Sequence, residues 1–87
     1  MRRRVVVHGL VQGVFFRDTV RRHAHSRGVA GWVRNNPDGT VEAAFEGEPE
    51  AVERLVSFVH QGPSGAIVER VDVVDEEDEG LSGFAVR

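Results

Sequence analysis

Hydrophobic and polar residues alternate with two different periods along this chain, and the switches between them mark out seven elements. Val5 and Val7 alternate with Arg4, Val6 and His8, which predicts a strand over residues 3–8 with one face turned inward. Phe16, Val20 and Ala24 then recur every fourth residue, the stripe of a helix expected over residues 18–27. Asp18 in its first turn and His23, His25 and Arg27 near its end suit the helix dipole, and Gly28 offers a left-handed stop. Residues 29–35 read as a second strand. Asn36, Pro37, Asp38 and Gly39 are residues that a tight hairpin needs. In the third strand that follows, Val41, Ala43 and Phe45 alternate with Glu42, Ala44 and Glu46, so one face is buried and the other mostly wet.

Pro49 is a good first helical residue, and Val52, Leu55, Val56 and Val59 trace an i, i+3, i+4, i+7 stripe up to Gly62. After a turn at Gly62, Pro63, Ser64 and Gly65, residues 66–74 read as a fourth strand. Asp75, Glu76, Glu77, Asp78 and Glu79 follow in succession, and their mutual repulsion predicts an extended, solvated loop. Phe84, Ala85 and Val86 close as a short edge strand. The order β-α-β-β-α-β plus that edge strand predicts an α+β, ferredoxin-like split βαβ sandwich, its antiparallel sheet carrying both helices on one face. A chain of 87 residues is expected to form one domain, near the size at which a single core just suffices.

Composition narrows the chemistry. There is no Cys, which excludes disulfides, thiolate catalysis and zinc-thiolate sites together. No apolar run approaches the length of a membrane span, and His8 and Gly9 interrupt the valines after Met1 too early for a signal peptide, so a cytoplasmic protein is expected. Residues 1–34 hold eight Arg and one acid, whereas residues 35–87 hold three Arg and thirteen acids. The basic part invites an RNA-binding reading of the sheet, but the stacking aromatics such a surface needs are missing: the first and third strands offer only Phe45, which alternation places inward. The acidic part would also repel a nucleic-acid backbone.

The candidate chemistry lies between the first strand and the first helix, in Gly9-Leu10-Val11-Gln12-Gly13-Val14-Phe15-Phe16-Arg17. Two glycines four apart allow a tight turn that approaches a ligand closely, and successive N–H groups in such a turn converge on an anion. The helix N-terminus behind adds partial positive charge. Arg17 stands at the mouth with a permanently charged fork that matches two phosphate oxygens. Leu10, Val11, Gln12, Gly13, Val14, Phe15, Phe16 and Arg17 thus form a candidate phosphate cradle.

The stretch GLVQGVFFR resembles the signature of the acylphosphatase family, Gly-x-Val-Gln-Gly-Val-x-Phe-Arg, at all seven of its fixed positions. A second block, Gly31-Trp32-Val33-Arg34-Asn35 followed by a turn and Gly39-Thr40-Val41, is similar to the family's other conserved block, and the likeness spans nearly the whole chain. The resemblance implies hydrolysis of the carboxyl-phosphate bond of acyl phosphates, releasing carboxylate and inorganic phosphate. It implies Arg17 as the catalytic, phosphate-binding arginine and Asn35 as the catalytic residue that orients the attacking water. It implies no cofactor, no metal and no protein general base, a phosphate oxygen of the substrate taking the proton from water. Two departures stand out: Leu10 where many relatives carry a basic residue, and Asn36 where Thr is common. A monomer without nucleic-acid or membrane partners is expected. The alternatives are a non-catalytic anion-binding module on the same fold, and a carbamoyl-phosphate-handling domain of the kind fused to larger proteins, against which the chain length argues.

The remaining polar and aromatic residues have blander readings. His8 at a strand end reads as a surface residue, and His23 and His25, two apart on a helix, do not face each other. Trp32 reads as packing rather than as contact with an acyl group. The acids at 75–79 lack the spacing of a calcium loop.

Overall fold

The computed structural model describes all 87 residues. The elements are β1 (Arg2–Leu10), α1 (Phe16–Ser26), β2 (Ala30–Asn35), β3 (Val41–Glu46), α2 (Pro49–Gln61), β4 (Ile67–Glu76) and β5 (Phe84–Val86). One sheet runs in the order β4-β1-β3-β2-β5. β1 pairs antiparallel with both β3 and β4, and β2 pairs antiparallel with β3. These four strands and the two helices form the expected split βαβ sandwich. β5 joins the edge of β2 in parallel, Gly31 opposite Phe84 and Val33 opposite Val86, so the complete sheet is mixed.

The two periodicities meet in one core. Val5 and Val7 of β1, Val33 of β2 and Val41, Ala43 and Phe45 of β3 pack in one cluster with the stripes Phe16, Val20, Ala24 of α1 and Val52, Leu55, Val56, Val59 of α2. Each fully buried side chain of this kind contributes about 1.5–3 kcal/mol, so these stripes, rather than helix propensity, hold the helices to the sheet. α1 starts two residues earlier than the pattern predicts, because Phe16 is itself part of the buried stripe and is 2% exposed. It ends at Ser26, one residue short of Arg27, and Gly28 follows with φ 66°. Gly28 N–H donates to His25 O and Val29 N–H to Ala24 O, closing the helix as a left-handed cap does. The His23 ring stacks on Phe58 at 4.2 Å and ties α1 to α2, whereas His25 is exposed. No helix is long and apolar enough to cross a membrane.

The acidic run departs from its expected form. β4 extends to Glu76, so Asp75 and Glu76 are strand residues facing Arg3 and Arg2 in register. Arg2 Nε donates to Glu76 at 3.1 Å, Arg4 Nε to Glu76 at 2.9 Å, and Arg3 lies against Asp75 and Glu53. Repulsion within the run is offset by arginines that the antiparallel pairing of β1 with β4 brings alongside.

Beyond β4 the chain must reach β5 at the opposite edge of the sheet, and the carboxylate of Glu46 fastens this crossover. Its Oε1 accepts from Glu79 N–H at 2.8 Å, and its Oε2 accepts from Gly80 N–H at 2.9 Å and Leu81 N–H at 3.1 Å. Arg2, only 4% exposed, donates to Glu46 at 3.4 Å and pairs with Glu79 at 3.3 Å. The Glu79 amide foremost, then those of Leu81 and Gly80 and the Arg2 guanidinium, hold the Glu46 carboxyl below its usual range against the opposing effect of burial.

Candidate active site

At the other end of the sheet, β1 shifts its register on β4 at a bulge between His8 and Gly9 and stays paired through Leu10. Gly9 has φ 134°, and a Cβ there would collide with the Ile67 carbonyl oxygen, so the close approach of β1 to β4 requires glycine. The loop then turns through Gly13 at φ 75° and Phe15 at φ 58°, ψ 24°. Phe15 is the only residue other than glycine with positive φ, a conformation that costs a bulky side chain on the order of 1–3 kcal/mol. Thr19 holds it there, its N–H donating to Phe15 O at 3.0 Å and its hydroxyl to the same oxygen at 2.8 Å.

None of the backbone N–H groups of residues 12–18 donates to another group of the protein. They include the first amides of α1, which carry the positive end of the helix dipole. Arg17 stands among them. Of the eleven arginines it alone makes no ion pair, hydrogen bond or ring contact.

Arg17 opens onto a cleft of about 370 Å³. Gly13, Phe15 and Asp18 share its rim, and Val11 and Phe16, 1% and 2% exposed, form its buried wall. Asn35, the last residue of β2, and Val86 of β5 complete it. The Asn35 Oδ1 atom is buried and accepts no hydrogen bond from the protein. An unpartnered buried oxygen costs about 1–3 kcal/mol, which marks it as an acceptor kept for something other than stability.

Asn35 is held by the hairpin after it. Asn36 N–H donates to Thr40 O at 2.9 Å, and the Asn36 side chain donates to Thr40 Oγ1 at 3.0 Å and Glu42 at 3.2 Å. Arg34 Nε donates to Asn36 Oδ1 at 3.1 Å. Asp38 accepts from the Thr40 hydroxyl at 2.7 Å and the Thr40 amide at 3.0 Å, and these bonds, the hydroxyl first, hold its carboxyl below the usual range. Gln12 joins the cradle to this hairpin: its Nε2 donates to Asn36 O at 2.8 Å and Thr40 O at 2.9 Å. The separation between Arg17 and Asn35 is therefore set by hydrogen bonds at both ends.

The residues singled out from sequence divide accordingly. Val11, Gly13, Phe15, Phe16, Arg17 and Asn35 meet in the cleft. Leu10 ends β1 opposite Ile67 with 65% exposure, Gln12 reaches away to the hairpin, and Val14 packs against the core. Trp32 lies outside the cleft, packed between the guanidinium groups of Arg34 and Arg87 at 5.0 Å each. His8 is engaged with Asp72 at 2.9 Å and Arg70 at 3.1 Å. No group of three or more His, Cys, Asp or Glu is placed to hold a metal ion. Asp18 and Val86 line the cleft without having been singled out. Asp18 follows Arg17 directly in the first turn of α1, a usable signal, whereas Val86 arrives only through the parallel docking of β5.

A family model described as acylphosphatase matches residues 3–86. The chain belongs to the acylphosphatase family. It is 59% identical over 80 residues to an acylphosphatase of Thermococcus kodakarensis, covering 92% of this chain and 88% of that relative. The crystal structure of acylphosphatase from Bacillus subtilis superposes with a TM-score of 0.93 at 37% identity, covering 99% of this chain and 97% of that one. Full-length HypF in a phosphate- and nucleotide-bound form carries a similar unit, with TM-score 0.91 and 28% identity, over 99% of this chain and 11% of its own. The acylphosphatase activity is hydrolysis of an acyl phosphate to carboxylate and inorganic phosphate.

Proposed function

We propose that the cleft between the cradle loop and Asn35 is the catalytic site, and that Arg17 and Asn35 divide the work. The observation that carries this reading is that Arg17, whose guanidinium is unengaged, and Asn35, whose carboxamide oxygen has no partner in the protein, line the same cleft. Arg17 and the N–H groups of the cradle take the phosphoryl oxygens, where charge gathers in a loose transition state. An attacking water donates one O–H to Asn35 Oδ1, which leaves its lone pair directed at phosphorus. As the new P–O bond forms, the bond from phosphorus to the acyl oxygen breaks, and the carboxylate departs as an anion that needs no proton. The second proton of the water passes to a phosphoryl oxygen of the substrate, so neither a metal nor a protein base takes part.

The same reading makes the chain a single-domain, cytoplasmic monomer that acts without nucleic-acid or membrane partners. It is tested by following hydrolysis of benzoyl phosphate in EDTA by the unaltered chain and by Arg17→Ala and Asn35→Ala. Turnover by the unaltered chain, lost with Arg17→Ala and strongly slowed with Asn35→Ala, is the expected result. Full turnover by either variant would remove that residue from the mechanism.

A further inference from the structure

Phosphate accounts for Arg17 and the cradle amides, but the acyl half of the substrate must lie against the rest of the cleft. Beside Asp18 and Asn35, that remainder offers two exposed apolar side chains. Phe15, 82% exposed, shares the rim, and Val86, 44% exposed, lines the cleft from β5. Apart from Arg17 the cleft presents no cation that could receive an acid-bearing acyl group, and the charge of Asp18 opposes one.

Phe15 is poorly suited to its position by every local criterion. It occupies the N-cap of α1, where Ser, Thr, Asp or Asn would accept a hydrogen bond from the helix, and it makes no such cap. Its backbone is left-handed, a conformation Asn tolerates and a bulky residue resists. Its ring gains nothing from the core. An aromatic residue kept at this cost beside a catalytic cleft is accounted for by contact with a ligand.

We propose that Phe15 and Val86 form an acyl subsite that favours acyl phosphates with an aromatic or bulky apolar acyl group over small ones. The inference rests on the cleft being the phosphate site described above. Ring contact with the acyl group holds the leaving carboxylate in line while phosphate is fixed by Arg17, so binding energy remote from phosphorus serves the reaction.

The test compares kcat/KM for benzoyl phosphate and acetyl phosphate. Taking their ratio cancels any change that a substitution makes to the shared phosphate cradle. Phe15→Asn is expected to lower the benzoyl-to-acetyl ratio by about five- to tenfold, the scale of one lost aromatic contact, while raising Tm by relieving the left-handed backbone. Val86→Ala lowers the ratio by about twofold, as the loss of small apolar contacts does. A ratio unchanged in both variants overturns the subsite. Failure of the unaltered chain to hydrolyse either substrate would instead overturn the catalytic reading beneath it.

Discussion

The two ends of the sheet carry the same device put to opposite uses. At one end three successive amides, from Glu79, Gly80 and Leu81, converge on the carboxylate of Glu46, and Arg2 completes its partners. At the other, the amides of residues 12–18 and Arg17 have no carboxylate of the protein to receive them. Both are clusters of main-chain donors beside a guanidinium, the arrangement that binds an anion. Where the chain supplies its own anion the cluster becomes a clasp and adds stability. Where none is supplied, the cluster costs stability and is available to a substrate. Removing one residue from each end should therefore separate activity from stability.

Arg17→Ala should produce the largest effect and confine it to function. Loss of a charge-assisted, bidentate phosphate contact costs about 3–5 kcal/mol, which at 1.36 kcal/mol per tenfold is at least about a hundredfold in turnover, with phosphate binding lost as well. Because Arg17 pairs with nothing in the protein, the unfolding free energy should stay within about 0.5 kcal/mol of the parent. Denaturant titration alongside a phosphate-inhibition assay checks both halves. A large loss of stability would show that Arg17 is engaged in the fold after all.

Glu46→Ala is the mirror experiment. It leaves three amides without their anion and Arg2 with two of its three carboxylate partners, a loss of about 3 kcal/mol by comparison with other broken buried pairs. Activity per folded molecule should be preserved at low temperature, since Glu46 lies at the far end of β3 from Asn35 and Val41. Denaturant midpoints measure the first expectation and active-site titration the second. Loss of activity without loss of stability would break the separation between the two ends.

Asn35→Ala should fall at the lower end of the range expected for Arg17→Ala. A single positioned acceptor is worth about 3 kcal/mol in the transition state, so kcat should drop by roughly a hundredfold while inhibition by phosphate persists. The variant should be no less stable than the parent, because it removes an unpartnered buried oxygen rather than a bond. Paired kcat and phosphate-inhibition measurements decide it: equal losses in both would assign Asn35 to binding.

The open end was far more legible from sequence than the clasped one. The cradle is a contiguous string, and its glycines, its position between strand and helix and its arginine all lie within nine residues. The stripe Val52, Leu55, Val56, Val59 was legible for the same reason, being local and periodic, and all four are buried. The clasp joins Arg2, Glu46 and residues 79–81, which no local pattern connects. Considered alone, five successive acids repel one another; only the pairing of β1 with β4 supplies the arginines that bind Asp75 and Glu76. Phe15 was hidden for a different reason, since nothing about phenylalanine announces a left-handed backbone. Val86 depended on β5 docking in parallel against β2, which no local pattern announces.

The smallest effect expected is a pH dependence that again distinguishes buried from open groups. His23 is stacked on Phe58, and burial, followed by repulsion from Arg27 and Arg22, lowers its pKa below the ordinary 6.5. The unfolded chain then binds the proton more readily than the folded one, so the contribution of His23 is complete above pH 6.5 and is lost as pH falls through the lowered folded value. Glu46 is also lowered, from an ordinary 4.5, so its contribution is complete above that value and disappears further into acid. Stability should decline in two stages as pH falls, a shallow one beginning near 6.5 and a steeper one below 4.5. His23→Leu should flatten only the first stage and Glu46→Ala should weaken the second, both read from denaturant midpoints between pH 7 and pH 3 at constant ionic strength. A first stage that survived His23→Leu would assign it to another group and leave the α1–α2 contact without a role in the acid response.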